Sequence, residues 1–106
     1  MPQLATGLIL AVAALHVGFL VLEMFLWKDA ASKKLAANQG LYNGFLAAGL
    51  AWSAFAPAPF GFQLRMFFLG CVVVAGVYGG LTTLRKILWL QALPGLVALA
   101  AAVAAS

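Results

Sequence analysis

Two side chains in the first quarter of this 106-residue chain are suited to moving a proton, His16 and Glu23. An imidazole and a carboxyl are common general acids and bases. Seven residues apart on a helix, they lie on nearly one face, about 10 Å apart along the axis. A second group follows in the run Ala37-Asn38-Gln39-Gly40-Leu41-Tyr42-Asn43-Gly44-Phe45-Leu46, which carries three amides and a phenol. Gln39 and Asn43 are four apart and share a helical face. They are placed to grip a ligand jointly or to lock one helix to the one before it. The expected chemistry is proton handling by His16 and Glu23, with Asn38, Gln39, Tyr42, Asn43, Tyr78 and Gln91 binding a small polar group.

Each of these residues has a plainer role open to it. Glu23 can extend to an interface or pair with Lys28. His16 can hydrogen-bond a neighbouring helix, and Asn38 can cap the start of a second one. Tyr42 and Tyr78 can anchor at a headgroup interface. Gln91 can join two helices by a hydrogen bond.

The elements that must position these groups follow from composition. The chain is 66% hydrophobic and 8% charged, with a mean hydropathy of +1.10. A soluble domain needs roughly a quarter of its residues charged to cover its surface. Lipid is therefore the expected solvent, and at ~20 residues per span four helices nearly exhaust the length. The expected fold is all-α, a single transmembrane four-helix bundle over residues 1–106, with helices near 3–27, 36–55, 63–84 and 87–104. Pro2 suits a helix start. Residues 1–27 lack a basic leading region and hold a longer apolar run than a cleaved signal core, so a true first helix is expected there. Pro57 and Pro59 end the second helix. Pro94 should bend the fourth, because the carbonyl of Leu90 loses its donor.

Charge sets the expected orientation. Lys28, Lys33, Lys34, Arg85 and Lys86 fall in the first and third links, and Arg65 alone falls on the other side. That bias places links 28–35 and 85–86 in the cytoplasm and both termini outside. Glu23, the amides of helix 2, Tyr78, Thr82, Thr83 and Gln91 then gather in the cytoplasmic half, with His16 near the midplane. Buried polar groups in a membrane are costly, which makes such a gathering a functional-site hypothesis. The pairs Gly40/Gly44 and Gly76/Gly80 offer grooves for close helix packing, within one bundle or across a homodimer.

Other chemistry is excluded. Six dispersed cations make no basic face for nucleic acid. One histidine and one intramembrane carboxylate hold no metal-ligand spacing, and no cofactor is expected. Cys71 is the sole cysteine, so no internal disulfide can form, and a small packed hydrophobe is expected there.

Leu22-Glu23-Met24-Phe25-Leu26-Trp27 and Ala36-Ala37-Asn38-Gln39-Gly40-Leu41-Tyr42-Asn43-Gly44-Phe45-Leu46-Ala47-Ala48-Gly49-Leu50 resemble the domain-of-unknown-function family numbered 1304. Cys71 to Gly79 and Gln91-Ala92-Leu93-Pro94 resemble its later segments. The resemblance implies a small four-helix integral membrane protein of the bacterial inner membrane, and it implies no activity. The link between Trp27 and Ala36 is shorter than the family pattern. Three functions stay open: a cytoplasm-facing pocket that binds or processes a small or lipid-derived molecule, a proton-coupled transporter acting as a dimer, and an assembly subunit without a ligand.

Overall fold

The structure is a computed structural model that describes residues 3–106. Pro2, the expected helix start, lies outside the described residues. Four helices form among them: α1 (Gln3–Phe25), α2 (Lys33–Phe55), α3 (Phe60–Thr82) and α4 (Leu93–Ala104), the last entered through a π-helical turn at Leu88–Ala92. α1 packs on α2, α2 on α3, α3 on α4, and α4 closes the ring against α1. The bundle measures 45 × 23 × 18 Å. α1 and α3 are each 23 residues long and apolar enough to cross a membrane. α2 has the same length but spends its first three turns on lysines and amides. The apolar stretch Leu88–Ala104 is shorter.

The helix boundaries move from the expected ones for local reasons. α1 stops at Phe25, not Trp27, and a short 3-10 turn at Ala30–Ser32 leads into α2. Asp29 caps that turn, its Oδ1 accepting from the Ala31 N–H at 3.1 Å and its Oδ2 from the Ser32 hydroxyl at 3.0 Å. α2 therefore begins at Lys33, which leaves Asn38 in the second turn and not at the cap. α3 begins at Phe60, earlier than expected, because the φ of Pro59 (−85°) is already helical. The helix ends at Thr82, and Thr83 leaves helical geometry while its N–H still reaches Gly79 O at 2.9 Å.

The effect of Pro94 is seen upstream of itself, as a π turn at Leu88–Ala92. The proline has no N–H to complete the ladder, and the preceding turn widens so that the Leu93 N–H bonds Leu88 O, five residues back. A π turn ahead of a proline is a recognised way to absorb a broken helical bond.

Small residues set the packing. Ile9, Val12, Ala13, Ala47, Leu50, Ala54, Leu69, Val72, Ala98 and Ala102 form one core drawn from all four helices. Both glycine pairs are used within the chain. Gly40 and Gly44 take Met24 and Leu20 of α1, while Gly76 and Gly80 take Ala92 and Leu88 of the π turn. Large side chains point outward instead, with Phe55 71% and Leu81 73% exposed. Arg65 departs from its expected place at a helix start. It is buried in the second turn of α3, and its Nη1 donates to Ser53 O at 2.9 Å near the C-terminus of α2. A cation there meets the negative end of the helix dipole. Cys71 is half-buried and free.

The close approach at Gly76 gives a direct test. A methyl group there would meet the backbone of Ala92, whereas one at Gly70 meets nothing within 4 Å. Gly76→Ala should lower unfolding stability in detergent by about 1–3 kcal/mol. Gly70→Ala should leave it unchanged or raise it by up to about 1 kcal/mol.

Candidate functional site

Glu23 sits on the last turn of α1, where α2 comes unusually near. A Cβ on Gly40 would stand 3.2 Å from Glu23 Cβ and 3.1 Å from Leu20 O. A Cβ there would also stand 2.7 Å from Met24 Cγ, so a residue without a side chain admits that spacing with nothing having to shift. Asn43, one turn further along the same face of α2, then reaches across, and its Nδ2 donates to Glu23 Oε1 at 2.5 Å. Lys28 stays exposed, so the alternative pairing of Glu23 with that lysine is not the one formed.

A cleft of about 320 Å³ opens beside the Glu23–Asn43 pair. Its polar lining comes from Glu23, Gln39, Asn43, Gln91 and Thr83. Its apolar wall comes from Phe19, Leu22 and Trp27 on one side and Leu84, Ile87 and Leu90 on the other. The volume lies at the small end of the range for ligand sites, which are mostly apolar with a few placed polar groups. The Trp27 ring is held by its own N–H, which donates to Ser32 Oγ at 2.9 Å. Lys28, Lys33, Lys34, Arg85 and Lys86 ring this end of the bundle in exposed positions, and none of them lines the cleft.

His16 lies behind the cleft, fully buried. Its Nδ1 is 2.8 Å from Val12 O, and its Nε2 is 3.1 Å from Gln91 Nε2. The Val12 carbonyl can only accept, so the proton sits on Nδ1. Nε2 of the neutral ring then accepts from the Gln91 amide. The ring also meets Phe19 edge-on at 5.1 Å. His16 and Glu23 are each bonded to an amide and not to each other. The expected proton pair is thus two separate pairs, joined by the cleft that Gln91 and Glu23 both line.

The remaining expected residues divide by helical face. Gln39 and Asn43 line the cleft, whereas Asn38 and Tyr42, one residue earlier in each case, are exposed outside it. A shift of one residue turns a side chain by about 100°. Tyr42 packs edge-on against Phe45, with ring centroids 5.6 Å apart. Tyr78 is 70% exposed, and its backbone oxygen accepts from Thr82 Oγ1 at 2.6 Å. Trp27 also lines the cleft. Thr83 does so because it has left the helix. Leu84, Ile87 and Leu90 carried no sequence signal for this role, since an apolar wall looks the same in sequence as any apolar stretch.

An all-α ring of four helices, apolar on its outer surface and polar at a cleft near its charged end, is the class that fold and site define. A model of the family described as protein of unknown function, DUF1304, matches residues 10–103, and the chain belongs to that family. No curated protein and no solved structure matches it.

The His16–Gln91 bond links α1 to the π turn and should be measurable. Gln91→Leu leaves a buried ring nitrogen without its donor and should lower stability by about 0.5–2 kcal/mol. The double variant His16→Leu with Gln91→Leu should lose less than the sum of the two single variants, read as a coupling energy from denaturant unfolding.

Proposed function

We propose that this protein is a multi-pass membrane protein that binds a small amphiphilic molecule in the cleft beside Glu23. The observation that carries the reading is the lining of that cleft: a carboxyl and three amides together with an apolar wall of aromatic and branched residues. Such a surface fits a polar head joined to a short apolar body. An assembly subunit would have its polar groups bonded to one another with no space left between them. The open volume beside Glu23 favours binding over that alternative.

The membrane setting draws on the outer surface. Phe25, Phe55, Phe67, Val74, Leu81 and Trp89 are all exposed, and large apolar side chains left exposed in such number suit an apolar surrounding. The charged links lie at one end of the bundle, as a protein crossing the bilayer requires. All four helices then span, with Leu88–Ala92 and α4 together forming the last crossing. Links 28–35 and 85–86 face the cytoplasm, and the cleft opens on that side of an inner membrane. A cysteine placed at Lys33 in a Cys71→Ala background should react with an impermeant maleimide only in inverted vesicles. One placed at Ala58 should react only in right-side-out vesicles.

Ligand binding is tested with the full chain in zwitterionic lipid nanodiscs and three ten-carbon probes: decylamine, decanoate and decanol. At least one should bind saturably. Thr83→Trp, which puts an indole into the cleft from an exposed position outside α3, should abolish that binding and leave the unfolding temperature within about 3 °C. If no probe binds saturably, or if Thr83→Trp leaves binding intact, the cleft is not the site.

A further inference from the structure

We infer that the cleft selects a cationic head, a primary ammonium on an apolar chain, over an anionic or neutral one. This inference rests on the cleft reading above and adds to it the chemical class of the ligand. It follows from tracing where each polar hydrogen goes.

The strongest donors around the cleft are already committed within the chain. The Trp27 indole N–H goes to Ser32 Oγ. The Asn43 amide gives one N–H to Glu23 Oε1. The Gln91 amide gives one to His16 Nε2, because the other ring nitrogen is already donating to Val12 O. An amide has as many acceptor sites as donor hydrogens, so the Gln91 donation to His16, which lies outside the lining, leaves an acceptor surplus; the Asn43–Glu23 bond uses one donor and one acceptor of the same lining and is neutral in this count. Asn43 Oδ1 and Gln91 Oε1 keep both lone pairs, and Glu23 Oε2 is acceptor-only when ionised. Gln39 offers donors and acceptors in balance, and the Thr83 hydroxyl, with one donor and two acceptor sites, adds to the surplus.

Charge points the same way. Glu23 is the cleft's charged side chain, and no lysine or arginine lines it. A primary ammonium has three donors and no acceptor, the complement of this lining. The indole face of Trp27, fixed by its N–H bond, and the ring of Phe19 add surfaces to which a cation is attracted. An anionic head would face the carboxylate and the unpaired carbonyls with few donors to meet it. The exposed cations Lys28, Lys33, Lys34, Arg85 and Lys86 favour anions at the rim, but that attraction is screened by salt. The contacts inside the cleft are screened much less.

The experiment uses the three probes with Trp27 as reporter. Trp52→Phe and Trp89→Phe remove the two other indoles, both of which are exposed. Decylamine should change Trp27 fluorescence saturably, and decanoate and decanol should bind at least about tenfold more weakly. Glu23→Gln, which keeps the shape and still accepts from Asn43, should weaken decylamine about tenfold or more. Glu23→Asp, which keeps the charge, should recover part of the loss. Decanoate or decanol binding as tightly as decylamine would overturn the cationic assignment while leaving the cleft in place. Unchanged decylamine affinity in Glu23→Gln would do the same, provided Thr83→Trp still blocks binding. Silence from all three probes would instead remove the cleft reading itself.

Discussion

The contact between α1 and α2 at Gly40 is the constraint on which the rest of the site depends. With hydrogen in place of a side chain there, Met24 Cγ lies closer than a Cβ would allow, at 2.7 Å from where one would stand, and the Leu20 carbonyl and Glu23 Cβ lie at the tight end of real Cβ contacts, at 3.1 and 3.2 Å. That distance brings Asn43 within reach of the Glu23 carboxylate. It also orients α2 so that Gln39 and Asn43 face the same gap as the start of the fourth helix. A bulkier residue would separate the two helices, and Glu23 would be left half-buried without the amide that satisfies it. An unsatisfied polar group in an apolar setting is the costliest arrangement open to such a bundle.

The π turn plays the matching role on the other side. It exists because Pro94 cannot donate, and its widened geometry changes which face of the fourth helix meets α1. Gln91 thereby reaches His16, and Ala92 settles against Gly76. One backbone defect thus places a cleft residue and a buried bond at once. π turns are found often at functional sites because an inserted residue re-aims a side chain without ending the helix.

Among the described residues, three polar contacts that cross between helices are hydrogen bonds and not ion pairs. Glu23 takes Asn43, His16 takes Gln91, and Arg65 takes the Ser53 carbonyl. Each pair ties one helix to a neighbour at a different height. Arg65 fastens the end of α2 to the start of α3, far from the cleft, and its burial helps set the position from which α3 descends to Thr83. The alanines of the core and the glycines at the helix contacts then let the helices approach closely. Apart from Ile9, Leu50 and Leu69 in the core, many of the large apolar residues are left for the outside.

Composition and residue order alone determine that this is an all-α bundle of four helices with short links. Runs of about twenty apolar residues broken by prolines and charges allow little else. The same string indicates which end carries the polar groups, because Glu23, Gln39, Asn43 and Gln91 all lie within a few turns of the charged links. It also carries enough of the pattern of family 1304 to be recognised. Which amides face the cleft was decided only by tertiary structure. Asn38 and Tyr42 read as well as Gln39 and Asn43 until α1 is placed against one face of α2, and neighbouring residues on a helix differ by about 100°. The burial of Arg65 depended likewise on the exact start of α3 at a proline. The pairing of His16 with Gln91, 75 residues away, required the ring of helices to close, since periodicity fixes faces along one helix and says nothing of which partner they meet.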